Sequence, residues 1–304
     1  MKIFINKPNE SWIVDRFVEE FKLYNKELIV ENIKDSDLIW IISPWTWKKV
    51  PKKYLKNKSV ICTIHHIDEQ KFSSKEGIEF HKLDKYVDYY HAISFKTYEQ
   101  ISKLTKKKIY TIPFWINQNL WFHNPNKNVL RKKYNISEDN FCIGSFQRDT
   151  EGKGKNIPKL SKGPDRFLEI VKFYSRSKNL AVVLTGYRRE FLIEELKKLD
   201  IKYYYFEQVS NFEVNELYNC LDLYIVASRV EGGPQAILEC AITKTPIIST
   251  DVGIAREILP SVSLFNMDNF KDAIPDPKTA FKNIETLKIP SGFKSYIRMF
   301  KEVS

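Results

Sequence analysis

Glu231, Gly232, Gly233, Pro234 and Glu239 stand in the run Ala227-Ser228-Arg229-Val230-Glu231-Gly232-Gly233-Pro234-Gln235-Ala236-Ile237-Leu238-Glu239-Cys240-Ala241. An apolar stretch ends at Ser228, a glycine turn follows, and Pro234 suits a first helical position, where its missing N–H is not needed. The pattern predicts a buried strand, a turn and a helix. The start of such a helix, from Gly232 and Gly233 through Pro234, Gln235 and Ala236, offers unpaired N–H groups and a positive dipole end to a pyrophosphate. Glu231 would lie beside the bound group. Glu239, more than a turn further on, can accept two hydrogen bonds from a vicinal diol such as ribose. Two glutamates eight apart are common on solvated helix faces, so the strand, Gly-Gly-Pro and helix around them carry the signal.

The elements that must position these residues are legible as alternating short β-branched or aromatic runs and longer helical patterns, the signature of βα units. The first half has candidate strands at 2–6, 28–30, 38–42, 59–64, 91–94 and 108–112. The second half has them at 141–146, 181–185, 202–206, 223–227, 246–250 and 262–265. Ile13, Phe17 and Phe21 recur at helical spacing, as do Phe167, Ile170, Val171 and Tyr174. A chain of 304 residues, 43% of them hydrophobic, can bury two modest cores. The expected fold class is α/β, with two Rossmann-like doubly wound parallel-sheet domains facing a cleft. The polar, proline-bearing stretch Phe122–Asn128 interrupts both periodicities. It sets the expected boundary at 1–122 and 123–290, with a terminal helix over 291–304 packing back on the first domain.

At the Glu231 segment the chain resembles the retaining, family-4-type glycosyltransferases of the GT-B fold, whose E-x7-E signature Glu231 and Glu239 match. The continuation Thr245-Pro246-Ile247-Ile248-Ser249-Thr250-Asp251-Val252-Gly253, followed by Glu257, is similar to that family's next turn, buried strand and glycine loop. The resemblance implies a nucleotide-sugar donor, UDP- or GDP-linked, bound as substrate, with no cofactor and no metal. It places Arg148 and Lys162 on the donor diphosphate and Gly144, Ser145 and Gly186 around the donor, with the base near Gln208 and Val209. His65 follows a strand as the family's active-site histidine does, with His66 as the alternative. Negative charge grows on the leaving diphosphate as the sugar departs, so its stabilisation is the main catalytic task. Arg148 can form a bidentate fork to phosphate and Lys162 can act as a point charge. Three departures stand out. Lys7-Pro8-Asn9-Glu10-Ser11-Trp12 replaces the usual glycine-rich loop, the spacer from Arg148 to Lys162 is long and holds Lys153, Lys155 and Lys159 as rival phosphate ligands, and the amino domain is short.

The formal charge of +11 favours an anionic partner: nucleic acid, a phospholipid surface or a diphosphate. Lysine is spread along the chain and no nucleic-acid module appears, so a nucleic-acid partner is not expected. Indoles alternate with ammonium groups from Trp45 to Tyr54. Peripheral membrane contact through 45–58 is therefore expected, with a saccharide or lipid-linked acceptor and a cytoplasmic location at the inner face of a membrane. The four cysteines lie far apart in apolar runs and read as reduced core thiols. Three rivals share parts of this pattern. Asp35-Ser36-Asp37 is formally a metal-binding D-x-D, although it precedes a strand where such pairs follow one. Gly152-Lys153-Gly154-Lys155-Asn156 lacks the Ser or Thr of a phosphate loop. A GT-B nucleotide-sugar epimerase would share fold and donor site.

Overall fold

The computed structural model describes residues 1–10, 13–69, 72, 74–152 and 156–304, with the side chain of Ser74 excepted. The chain divides into two compact units, Met1–Trp115 with Ile289–Ser304, and Ile116–Lys288. The division therefore falls at Trp115, ahead of the polar stretch that suggested it. Ile116 already belongs to the second unit, where its N–H donates to the Leu287 carbonyl.

The first unit is a parallel five-stranded sheet in the order β1 (Ile3–Asn6), β2 (Leu38–Ile41), β3 (Ser59–Ile64), β4 (Tyr89–Ala92) and β5 (Ile109–Thr111). Side chains alternate along β2. Leu38, Trp40 and Ile42 join Phe17 and Phe21 of α1 (Ile13–Tyr24) and Phe293, Tyr296 and Phe300 of α12 (Phe293–Val303) on one face. Ile39 and Ile41 join Leu55 of α2 (Lys52–Asn57), Phe80 and Leu83 of α3 (Ser74–Asp84) and Ile101 of α4 (Phe95–Ser102) on the other. The 28–30 segment is not a strand. A 3-10 turn over Lys26–Leu28 uses its backbone groups, and the segment meets the sheet in a single bridge, Ile29 to Ile3, with the Val30 N–H donating to the Ile3 carbonyl at 3.0 Å. The strand expected at 91–94 ends earlier because Ser94 caps α4, its side chain accepting from the Thr97 N–H at 3.2 Å.

The second unit opens with α5 (Lys127–Lys133) and β6 (Phe141–Ser145). A short antiparallel hairpin follows, β7 (Thr150–Glu151) with β8 (Ile157–Pro158), and then α6 (Pro164–Ser175), β9 (Leu180–Thr185), α7 (Glu190–Lys198), β10 (Lys202–Phe206), α8 (Asn211–Cys220), β11 (Leu223–Val226), α9 (Gln235–Thr243), β12 (Ile247–Thr250), α10 (Ala255–Ile258), β13 (Leu264–Phe265) and α11 (Pro277–Asn283). Its six parallel strands run β10-β9-β6-β11-β12-β13. Helices α6 and α7 cover one face, and α5, α8, α9 and α11 the other. The chain leaves β6 in one direction and returns on its other side at β11, so the loops after these two strands diverge at a topological switch point, where ligands of open α/β sheets bind. The strand expected at 262–265 is shortened because Ser261–Ser263 form a 3-10 turn.

A buried polar relay crosses the first sheet. Trp40 Nε1 donates to Thr63 Oγ1 at 2.8 Å, the Thr63 hydroxyl lies 2.9 Å from His91 Nδ1, and His91 Nε2 lies 2.8 Å from the Ile112 carbonyl oxygen. The pattern is satisfied by a neutral imidazole with its proton on Nε2. Burial lowers His91 from its ordinary 6.5 to about 4. The unfolded chain therefore takes up this proton first, and the contribution is intact above pH about 6.5 and lost as pH falls towards about 4, by roughly 3 kcal/mol. Urea titrations at pH 7 and pH 4.5 should show the wild type losing more stability than His91→Asn, and equal losses would show that His91 does not titrate in this way.

Candidate functional site

The loops at the switch point are held by close backbone contact. Gly163 sits at φ +64, and a Cβ there would overlap the Ala227 carbonyl oxygen at the end of β11. The Arg229 and Val230 N–H groups donate to the Ser161 carbonyl at 2.8 and 3.2 Å, and Arg229 forms a bidentate pair with Asp165 at 2.8 and 2.6 Å. Gln147 Nε2 adds bonds to the Lys162 carbonyl at 3.0 Å and Ser228 Oγ at 3.2 Å. These contacts bring together two predicted site residues 69 apart in sequence: Lys162 Nζ donates to Glu231 Oε1 at 2.5 Å. Ser228 Oγ donates to the same oxygen at 3.2 Å.

Arg148 is half-buried on the loop after β6. Burial and the neighbouring charge of Arg188 lower its guanidinium below the ordinary value, while Glu151 and Glu231 act in the opposite direction. Arg148, Lys162 and Glu231 thus share one neighbourhood. Lys155, with Lys153, lies outside the described residues. Beneath Arg148, Arg189 and Asp149 form a buried ion pair at 2.6 Å, and Arg189 Nη1 also donates to the carbonyls of Ser145 and Thr185, each at 2.7 Å. Burial pushes the Asp149 carboxyl up and Arg189 draws it back.

Helix α9 begins one residue later than the sequence suggests. Pro234 is its N-cap, with an extended ψ of 113°, and Gln235 is the first helical residue. Gly253, at φ +51, approaches so closely that a Cβ would overlap the Gly232 carbonyl oxygen, which fixes the Gly232-Gly233 turn. Gln235 carries a buried Oε1 without a partner among the described residues, an acceptor that a ligand hydroxyl can fill. Ala236 is half-buried. Glu239 is 7% exposed and accepts from Tyr218 Oη at 2.8 Å, so one of its carboxylate oxygens faces the protein.

The remaining predicted donor residues fall at strand ends or inside strands. Gly144 lies within β6 under Leu221, whose side chain a Cβ would strike, so packing accounts for this glycine. Ser145 is buried and contributes its carbonyl to Arg189. Gly186 follows β9 at φ +80 with open space around it. Gln208 is exposed after β10 and donates to Tyr187 Oη, with half-buried Val209 beside it. Sequence reasoning missed Gln147, Arg188 and the Asp149–Arg189 pair. The consecutive charges Arg148-Asp149 and Arg188-Arg189 were the only signal for the last three.

In the first unit, His65 follows β3 and is half-buried. Its Nε2 lies 2.9 Å from the Ile42 carbonyl oxygen, and its ring stacks on Phe114 at 5.9 Å between centroids. Burial lowers it from 6.5 to about 4. At neutral pH His65 is therefore an uncharged ring that donates from Nε2 and presents Nδ1 as an acceptor. His66 is exposed and lines a cavity of about 470 Å³ with Trp45, Trp47, Asp68, Glu76 and Phe80 among others. Trp47 is buried against this core and Trp45 is 54% exposed, so only one of the two indoles is available at the surface. Lys48, which follows Trp47, pairs with Glu79 at 2.5 Å. Asp37 is tied to the Lys2 N–H at 2.8 Å at the start of β2. Among the described residues, no helix is long and apolar enough to cross a membrane, and all four cysteines are free and buried.

The sequence profile described as "Glycosyl transferases group 1" matches residues 156–261, which include Lys162, Gly186, Glu231 and Glu239. The O-antigen chain mannosyltransferase RfbU of Salmonella typhimurium is 23% identical over 285 residues, 86% of this chain and 75% of that protein. Anabaena Alr3699/HepE, solved in complex with UDP, superimposes with a TM-score of 0.76 at 12% identity, covering 99% of this chain and 100% of the other. Sucrose-phosphate synthase from Thermosynechococcus elongatus gives 0.69 at 14% identity, covering 97% and 80%. The second unit carries a group 1 glycosyltransferase domain, the two-sheet architecture is that of GT-B enzymes, and the chain is a glycosyltransferase.

Two of the positive-φ glycines bordering this region, Gly163 and Gly186, differ in a measurable way. Gly163→Ala meets both left-handed strain and a backbone oxygen, whereas Gly186→Ala meets only the strain, about 1–2 kcal/mol. Denaturant midpoints of the second unit's transition should fall much further for Gly163→Ala, and equal shifts would mean that the Gly163 contact does not hold the loop.

Proposed function

We propose that this chain is a retaining, metal-independent hexosyltransferase that moves a sugar from a UDP- or GDP-linked donor to a saccharide or lipid-linked acceptor. The observation that carries the proposal is the Lys162–Glu231 contact at the switch point, beside Arg148 and the start of α9. An ammonium has three donors, so Lys162 can hold Glu231 and still donate to a phosphate oxygen. Arg148 supplies the fork, and the amides from Gly232 to Ala236 supply fixed dipoles. Together they offset the charge that grows on the leaving diphosphate, the task a metal ion performs elsewhere. Glu239 accepts a ribose hydroxyl. Glu231 and Glu239 keep the E-x7-E spacing of retaining enzymes, in which the departing phosphate can take the acceptor's proton on the same face of the sugar.

HepE is described in complex with UDP, and also with UDP and glucose, which supports a uridine-linked donor. RfbU is described as acting on an O-antigen chain, which supports a saccharide acceptor. The neutral His65 ring would accept a hydroxyl hydrogen bond at Nδ1. The cavity bordered by His66, Trp45, Asp68 and Glu76 combines aromatic surface with carboxylate acceptors, a lining suited to a hydroxyl-rich ring. The enzyme would work in the cytoplasm, resting on a membrane through 45–58, where Trp45, Lys52, Lys53 and Lys56 are exposed.

Arg148→Ala and Lys162→Ala should each lower kcat/KM by about a hundredfold or more, and near-normal turnover in both would remove these residues from the mechanism. Glu239→Gln should weaken donor binding, because an amide is a poorer acceptor than a carboxylate. Calorimetry with UDP checks this, and an unchanged dissociation constant would defeat the ribose role. Turnover should persist in excess EDTA, with the product keeping the donor's anomeric configuration by NMR, and inversion or chelator-sensitive activity would overturn the corresponding part of the proposal.

A further inference from the structure

Two consecutive residues on each of two neighbouring loops meet as pairs. Strands β6 and β9 are adjacent, with Ser145 beside Leu184. The loop after β6 carries Arg148 and Asp149, and the loop after β9 carries Arg188 and Arg189. Asp149 and Arg189 make the buried ion pair at 2.6 Å. The N–H groups of Asp149 and Thr150 both donate to the Arg188 carbonyl, at 3.0 and 3.1 Å. Locking the second residue of each loop in this way forces the first residues, Arg148 and Arg188, into proximity.

That arrangement is costly in two respects. Arg188 is held at φ +61, a left-handed conformation that a side chain disfavours. Its guanidinium is half-buried, and among the described residues it has no hydrogen-bond or ion-pair partner. Two guanidinium groups forced together repel unless an anion sits between them, and planar forks of this kind match phosphate oxygens in bidentate fashion. The left-handed backbone presents the Arg188 carbonyl to the Asp149 and Thr150 N–H groups, but among the described residues the guanidinium itself has no such return, because the Asp149–Arg189 pair already joins the loops.

We infer that Arg188 is a second guanidinium of the diphosphate site, holding with Arg148 one anionic group of the donor. This inference rests on the nucleotide-sugar reading above and adds a binding residue to it. The buried Asp149–Arg189 pair is the support that positions both forks, and Arg188 touches the ligand directly.

The test uses the full chain and calorimetric titration with inorganic pyrophosphate, UDP and uridine, on the wild type, Arg188→Gly and Arg188→Lys. Glycine relieves the left-handed backbone, so Arg188→Gly should melt no lower than the wild type while binding pyrophosphate and UDP about tenfold or more weakly, with uridine unchanged. Arg188→Lys should retain part of the affinity as a point charge. A purely structural role for Arg188 would instead lower the melting temperature and leave the pyrophosphate affinity alone. Wild-type affinity of Arg188→Gly for both UDP and pyrophosphate would overturn the inference and leave the donor reading standing. Wild-type binding of pyrophosphate that Arg188→Gly loses, with no added affinity for UDP, would support the cradle and defeat the donor reading. A wild type that binds neither probe would overturn both.

Discussion

Holding several cations at one end of a sheet is the physical constraint around which the second unit is organised. Arg148 and Arg188 repel one another, and Lys162 adds a cation on the loop before α6, so these groups need opposing structure. The opposition comes from anions on the protein side, ranging from buried to partly exposed. Asp149 answers Arg189 in the interior, Glu231 answers Lys162 at the loop, and Asp165 answers Arg229 on its outer side. A buried pair of the Asp149–Arg189 kind is weak evidence for stability, since desolvation consumes much of the Coulombic gain. Its value lies in geometry, because it joins two loops at fixed distance and orientation.

Close backbone approach does the rest. Gly163 and Gly253 press against the Ala227 and Gly232 carbonyls, so the loops before α6 and after β12 lean onto the segment between β11 and α9. Gln147 and Ser228 then tie side chains across the same gap. With the loops set by backbone contact and the charges set by ion pairs, the start of α9 is presented in one conformation. Preorganisation of this kind is the general condition under which fixed dipoles act strongly on a charge.

The first unit solves a different problem. Its sheet is sealed on one face by aromatic rings from both ends of the chain, with Trp40, Trp115, Phe293 and Phe300 around Phe21. Polar groups that must cross this apolar core are strung into a satisfied relay through Thr63 and His91. The same desolvation that keeps His91 neutral also keeps His65 neutral, which makes His65 a hydrogen-bonding group and removes it as a source of positive charge near pH 7.

The sequence by itself determined the two α/β units, most strands and the strand-turn-helix around Glu231, because these rest on local periodicity and turn chemistry. It also singled out Arg148, Lys162 and the two glutamates as candidates, through spacing along a single segment or likeness to a known pattern. It misjudged places where local hydrogen bonding competes with a ladder, as at 28–30 and 262–263, and the true division at Trp115, where a polar stretch proved less telling than the packing of Ile116. The tertiary structure alone decided that Lys162 meets Glu231, that Gly144 serves packing, that Trp47 is core, and that Arg188 stands beside Arg148. Each of these depends on contacts between segments far apart in the chain. Their strength is set by burial and strand adjacency, which no local pattern of residue types encodes.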